Sequence, residues 1–290
     1  MKMILVATDF SERSDRALRR ATLLARQFEA KLHLIHVVDD DQPKRVVDAE
    51  HDQASKLLRQ LAETLREVDG VACETRVILA SPFAGIVRAA EELGPDLLVI
   101  GSHRRQVLRD VFIGTTAERT IRSVACPVLM VNATPTGRYR RVLQTTDLSD
   151  GSRDALRRLP TLGITEHAKN SLLYVFDAPA LRLTFSGSMP QQNQHSYLDD
   201  ERHTAERELA KFVVSSGLGE CQKIVRHETT SAPNEILKAA HTEKADLIVL
   251  STQGRRLVTK MILGSVTEQV LRVSTVDVLA VPPTSVALPD

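Results

Sequence analysis

The chain has no tryptophan, and aromatic residues make up only 3% of its 290 positions. Rings on which the bases of a single nucleic-acid strand could stack are therefore scarce. An excess of either charge is missing as well. Lysine and arginine number 38 against 37 aspartate and glutamate, a formal net charge of +1. Binding a polyanion by long-range attraction needs more than that, so no nucleic-acid partner is expected. No stretch of about 18 consecutive apolar residues occurs, and no membrane span is expected. The start, Met1-Lys2-Met3-Ile4-Leu5-Val6, runs into Asp9, Glu12 and Arg13 too soon for the apolar core of a signal peptide. A cytoplasmic location with no membrane partner is the expectation.

Catalytic and metal signatures are equally thin. The three cysteines, Cys73, Cys126 and Cys221, stand far apart, in neither a Cys-x-x-Cys pair nor a metal cluster. Cys73 and Cys126 adjoin apolar strand ends and read as packed thiols rather than nucleophiles. Nine histidines include no His-x-x-x-His or His-Glu-x-x-His spacing. No Ser-His-Asp or Cys-His set can be assembled locally. The P-loop lysine motif and the dinucleotide glycine fingerprint after the first strand are both absent. No catalytic residue and no metal ligand is assigned.

What the chain does have is repetition. Ile4-Leu5-Val6-Ala7-Thr8-Asp9-Phe10-Ser11 returns as Val142-Leu143-Gln144-Thr145-Thr146-Asp147-Leu148-Ser149, and Ala17-Leu18-Arg19-Arg20 as Ala155-Leu156-Arg157-Arg158. Gly101-Ser102-His103-Arg104 before Gly114-Thr115 is echoed by Ser251-Thr252-Gln253-Gly254 before Gly264-Ser265. Each repeat is long enough to be a domain. With 42% hydrophobic residues the chain can bury two ordinary cores. The boundaries fall at 1–131 and 141–282, with a linker at 132–140 and a tail at 283–290.

Short apolar runs alternate with helical patterns, the mark of an α/β fold with parallel sheets covered on both faces. In the first half strands are expected at Met3 to Thr8, Leu32 to Val38, Ala72 to Leu79, Leu97 to Ile100 and Val128 to Val131. A long helix is expected from Ala49 to Val68, and others from Ser11, Pro82 and Thr115. The second half repeats the order, with helices near Arg153 to Leu162, Leu198 to Ser215, Pro233 to Thr242 and Ser265 to Val273. The polar stretch Ala178 to Tyr197 has no equal in the first half and reads as either a lid or a disordered insertion. The last strand of each half is apolar throughout. An exposed edge of that kind invites pairing, and pairing of one with the other inside the chain would cover both.

Two features point to a ligand. A glycine leaving a strand can take φ > 0 and lets a ligand approach the backbone. The helices starting at Gly114-Thr115 and Gly264-Ser265 offer unpaired N–H groups, which attract phosphate. Two such loops lying close together would hold a di- or triphosphate. Asp9 and Asp147 follow a strand and stand beside Ser11 and Ser149. They read either as helix caps or as acceptors for ribose hydroxyls at the sheet's carboxyl edge. His103, Arg104, Arg105 and Arg109 form a cationic loop, repeated in part by Arg255 and Arg256; solvated charge is the alternative there.

These residues resemble a known family. With His36-Val37-Val38-Asp39, Pro95-Asp96-Leu97-Leu98-Val99-Ile100-Gly101-Ser102, Ala125-Cys126-Pro127-Val128 and Ala245-Asp246-Leu247-Ile248-Val249-Leu250-Ser251, the chain is similar to a tandem universal stress protein, two UspA domains in series, over nearly all its length. The resemblance implies two doubly wound, Rossmann-like parallel-sheet domains of strand order 3-2-1-4-5. It also implies ATP or ADP as ligand, Mg2+ as its companion ion, and a role in stress response or signalling.

The family's Gly-x2-Gly-x9-Gly-(Ser/Thr) motif is altered in both halves. Arg104 replaces its second glycine in the first half and Ser251 its first in the second, so the second half is the better site. There the resemblance places Asp147 on the ribose, Thr145, Val175 and Leu250 beside the base, and Ser251, Gly254, Gly264, Ser265 and Val266 around sugar and phosphates. The first-half equivalents are Asp9, Ala7, Val37, Ile100, Gly101, Arg104, Gly114, Thr115 and Thr116. Three functions stand side by side: an adenine-nucleotide-binding stress protein, a tandem scaffold for protein–protein interaction without nucleotide, and a slow Mg2+-dependent ATPase. A homodimer and a regulatory protein are the expected macromolecular partners, with a monomer as the alternative assembly.

Overall fold

The computed structural model describes residues 1–102, 116–183, 191–253 and 263–283. The first half runs β1 (Met3–Ala7), α1 (Glu12–Phe28), β2 (Lys31–Val38), α2 (Lys44–Glu67), β3 (Cys73–Leu79), α3 (Pro82–Leu93), β4 (Leu97–Gly101), α4 (Thr116–Ser123) and β5 (Val128–Val131). The second runs β6 (Arg141–Thr146), α5 (Asp150–Leu162), β7 (Lys169–Phe176), α6 (Pro179–Leu183), α7 (Gln191–Ser216), β8 (Gln222–His227), α8 (Ala232–Thr242), β9 (Leu247–Ser251), α9 (Ser265–Val273) and β10 (Asp277–Val281).

All strands join one ten-stranded sheet in the order β3-β2-β1-β4-β5-β10-β9-β6-β7-β8. Each half has the expected order 3-2-1-4-5, and pairing within each half is parallel. The halves meet where β5 and β10 pair antiparallel, with Val278 opposite Met130 and Leu279 opposite Leu129. This is why both strands are apolar at every position but the first of β10. They lie mid-sheet, buried on both faces.

Two large cores form, divided by sheet face rather than by half. Ile4 and Val6 face one, with Leu24, Leu58, Leu156, Leu209 and Phe212. Leu5 faces the other, with Ile86, Ile121, Ile236 and Leu271. Alternate residues of a strand point to opposite faces, so each core runs continuously through both repeats.

Asp277, wholly buried at the start of β10, fastens the two halves. It accepts hydrogen bonds from Arg20 Nε at 3.2 Å, Tyr139 Oη at 2.6 Å and the backbone amides of Asn132 and Ala133 at 2.9 and 3.0 Å. Arg20 also donates to the Gly137 carbonyl at 2.6 Å, and its guanidinium lies 4.1 Å over the Tyr139 ring. A buried carboxylate is tolerable when it is paired and fully hydrogen-bonded. Arg158, the counterpart of Arg20, donates to the carbonyls of Pro282 at 2.7 Å and Ala125 at 3.5 Å. Arg272 of α9 reaches the buried Glu118 of α4 through two bonds of 2.8 and 3.2 Å.

Two expectations need correction. Helix α2 starts at Lys44, not Ala49, because Pro43 opens it and Val47 packs with Val38 and Ala54. Within the stretch from Ala178 to Tyr197, expected as a lid or a disordered insertion, the described residues include helix. Residues 179–183 are helical, and α7 begins at Gln191. Once Ala205, Leu209 and Phe212 anchor α7 in the core, each added residue extends an existing helix, which is far easier than nucleating one.

Candidate functional site

Each half leaves a crevice at the carboxyl ends of its first and fourth strands, where the chain departs from adjacent strands to opposite sides of the sheet. These are the ends of β1 and β4, and of β6 and β9. Because β5 and β10 run antiparallel, the two crevices open on opposite rims of the sheet. The described ends of the two loops therefore lie on opposite rims.

Both crevices begin with the same turn. Thr8 Oγ1 accepts from the Phe10 amide at 3.0 Å and donates to Ser14 Oγ at 3.0 Å. In the second half Thr146 Oγ1 accepts from Leu148 N at 2.9 Å and lies 2.9 Å from Ser152 Oγ. These bonds hold Phe10 and Leu148 in the left-handed region, at φ 58° and 63°, which non-glycine residues seldom enter. Phe10 also stacks on His36, with ring centroids 4.5 Å apart. His36 Nδ1 lies 2.8 Å from the Thr8 carbonyl; a carbonyl can only accept, so Nδ1 carries the proton.

The caps are the serines. Ser11 Oγ accepts from Ser14 N and Ser149 Oγ from Ser152 N. Both aspartates tie the turn through Oδ1. Asp9 Oδ1 accepts from Ser11 N at 3.0 Å, and Asp147 Oδ1 from Ser149 N at 3.1 Å and Ser149 Oγ at 2.5 Å. The other Asp9 oxygen lies 3.9 Å from Arg13. Burial alone would raise the Asp9 carboxyl, but hydrogen bonds from Ser11 and Ser14 and the charge of Arg13 bring it below the ordinary value. At Arg13's place the second half has Gly151.

Gly101 is explained by packing, not by the φ > 0 expected of it: it is not among the positive-φ glycines. A Cβ there would come within 2.9 Å of the Arg13 carbonyl carbon and oxygen and 3.0 Å of Ser14 N. Helix α1 thus rests directly on the end of β4. Ser251 shows that the second half is spaced differently. Its side chain fits, with Oγ 3.4 Å from the Gly151 carbonyl and donating to the Gln253 carbonyl at 2.8 Å.

Gly264 caps α9, and its amide donates to the Thr252 carbonyl at 3.0 Å. With φ −61° and ψ 138° its backbone suits any residue. A Cβ would meet Thr252 O at 3.8 Å and Thr267 Oγ1 at 3.9 Å, ordinary contacts. Among the described residues no contact requires a glycine here; glycine suits the cap and also leaves room for an anion at the first amides of α9. Ser265 is exposed and Val266 half-buried in that first turn. Thr116 opens α4 at the matching place and is exposed. Arg104, Gly114, Thr115 and Gly254 lie outside the described residues, as do His103, Arg105, Arg109, Arg255 and Arg256.

The residues expected on the base side also differ between the halves. Ala7 and Val37 are half-buried and Ile100 buried. A Cβ on Gly85 would be 2.6 Å from Val37 Cγ1, so α3 presses onto Val37. Thr145 is buried, its hydroxyl donating to the Val249 carbonyl at 3.1 Å. Leu250 is buried and Val175 half-buried. In place of Gly85 stands Glu235, which accepts from Arg226 Nε at 3.2 Å, Thr229 Oγ1 at 2.6 Å and Lys238 Nζ at 2.7 Å.

Reading the sequence missed Ser14, Ser152 and Thr267. The serines carried a signal, since Thr-Asp-x-Ser-x-x-Ser recurs as Thr8 to Ser14 and Thr146 to Ser152. Thr267 carried none, because its counterpart is Ala117. Among the described residues no group of three or more His, Cys, Asp or Glu could hold a metal ion. Burial pushes the Cys73 and Cys126 thiols up to about 11, too high for ready nucleophilic use. No helix among the described residues is long and apolar enough to cross a membrane.

The model of the universal stress protein family matches residues 1–132 and again 138–282. The chain belongs to the universal stress protein family. Shorter relatives match a little under half of this universal stress protein. One universal stress protein of Methanocaldococcus jannaschii is 30% identical over 142 residues, 45% of this chain and 81% of its own length. A second from that organism is 26% identical over 152 residues, covering 45% and 94%. The solved structure of a universal stress protein from Archaeoglobus fulgidus aligns over 97% of this chain and 98% of its own, at TM-score 0.68 and 19% identity. It shares the tandem fold as a whole.

Proposed function

We propose that this universal stress protein binds an adenine nucleotide, ATP or ADP, in its second half and acts through that binding in stress response or signalling. The observation carrying the reading is Gly264. It keeps the start of α9 free of a side chain although neither its backbone angles nor its described neighbours exclude a Cβ. Asp147 sits across the same crevice as the ribose acceptor, and Thr145, Val175 and Leu250 line the base side. Ser251, Ser265, Val266 and Gly254 complete the set. Mg2+ accompanies the phosphates. The first half binds more weakly or not at all, since Arg13 stands beside Asp9 and Arg104 replaces a motif glycine. Catalysis is not assigned. The protein works in the cytoplasm, as a homodimer in preference to a monomer, with a regulatory protein as its further partner.

Native mass spectrometry before and after adding ATP with Mg2+ tests this, since it reports copurified ligand, stoichiometry and assembly together. One nucleotide per chain is expected. Calorimetry that finds no heat at millimolar ATP removes the reading. Binding that depends on Arg104 and not on Gly264 moves the site to the first half.

A further inference from the structure

Two hydroxyls fasten the ends of the segment joining β9 to α9, and the first half has neither. Thr267 Oγ1 donates to the Ser251 carbonyl at 2.8 Å, from a side chain that is itself buried. Ser251 Oγ accepts from the Gln253 amide at 3.3 Å and donates to the Gln253 carbonyl at 2.8 Å. The matching residues in the first half are Ala117 and Gly101, which can make neither contact. The backbone tie at the strand end is common to both halves. Ser102 N donates to the Val131 carbonyl at 3.2 Å, and Thr252 N to the Val281 carbonyl at 3.1 Å. At the strand end the asymmetry among the described residues therefore lies in the side chains.

We propose that Thr267 is a positioning residue for the phosphate end of the bound nucleotide. Resting on the assignment of the second half as the nucleotide site, it adds what makes that site effective. Thr267 is the third residue of α9, and side chains in a helix point back toward its N-terminus. Its hydroxyl thereby binds the first turn of α9 to the end of β9. The Ser265 and Val266 amides are held at fixed positions relative to the strand before any ligand arrives. Donors held in advance lose little freedom on binding, and that saving appears as affinity. Thr267 need not touch the phosphate; it acts through the amides of its own helix. The acceptor is the Ser251 backbone carbonyl, which any residue supplies, so the tie depends on the Thr267 hydroxyl.

Calorimetry with ATP, and saturation-transfer NMR with adenosine, would test the proposal on purified full-length protein. Thr267→Val keeps the shape and removes the hydroxyl. It should weaken ATP binding about 3–10-fold, the equivalent of one net hydrogen bond, and leave adenosine binding unchanged. Thr267→Ser should restore ATP affinity. An equal loss for both ligands would mean general loosening and overturn the proposal, as would a serine variant no better than valine. If wild type binds ATP and Thr267→Val binds it equally well, the positioning role alone fails. If wild type binds neither ligand, the nucleotide reading fails and takes this inference with it.

Discussion

Tyr139 donates its phenol hydrogen to Asp277 Oδ2 at 2.6 Å across 138 residues of sequence. The same carboxylate holds Arg20 from α1 and two backbone amides of the connecting segment. One side chain of the second half thereby fixes a helix of the first and the segment between them. Asp277→Ala should destabilise the protein by about 3–5 kcal/mol, because Arg20 would remain buried without its counterion. Chemical denaturation followed by circular dichroism measures this. A loss below about 1 kcal/mol would show that the cluster is not the fastening it resembles.

Burial and the neighbouring Asp277 carboxylate raise the Tyr139 phenol well above its ordinary value. The folded state therefore keeps a proton that the unfolded chain releases near pH 10. Tyr139 stabilises the fold fully below about pH 10, and that contribution falls as pH rises further. Wild type should lose stability between about pH 10 and 11, and Tyr139→Phe should show a shallower slope there. Urea denaturation midpoints over this range would decide it.

Gly101→Ala places a Cβ 2.9 Å from the α1 backbone. Helix or strand must shift, at a cost of about 1–3 kcal/mol. Ser251→Gly at the matching position meets no clash and should cost about 1 kcal/mol, from lost hydrogen bonds and added chain freedom. Thermal melts of the two variants should rank them in that order.

Gly264→Leu separates folding from binding. A Cβ there meets only ordinary contacts among the described residues, so the stability cost should be that of a poorer helix cap, about 1 kcal/mol. ATP affinity should nevertheless fall at least about tenfold, or ~1.4 kcal/mol. Asp147→Ala should weaken ATP by about 1–3 kcal/mol through loss of a charged acceptor. Calorimetry alongside thermal melts checks both; unchanged affinity in Gly264→Leu would place the phosphates elsewhere.

The strands were readable because parallel strands buried on both faces are written as unbroken apolar runs, as in Leu97 to Ile100 and Val278 to Val281. Helix starts were less so. Lys44 and Gln191 begin helices on polar residues, and what makes them helical is packing further along, at Val47 and at Leu209. In the crevice, the duplicated Thr-Asp-x-Ser turn stood out because both copies kept it. The reason for Gly101 did not, since the backbone it must admit belongs to Arg13 and Ser14, far back in the chain. Thr267 was invisible for the opposite reason: its role shows in one copy only.

The antiparallel contact of β5 with β10 has a consequence for how the two copies can diverge. Between separate identical subunits such a contact would obey mass action and weaken on dilution. Any substitution there would also appear on both sides of the axis. Inside one polypeptide the contact is first-order and its two sides are independent. Asp277 can sit on one strand while Pro127 sits at the equivalent place on the other. Covalent linkage thus leaves each copy free to change without a matching change in the other.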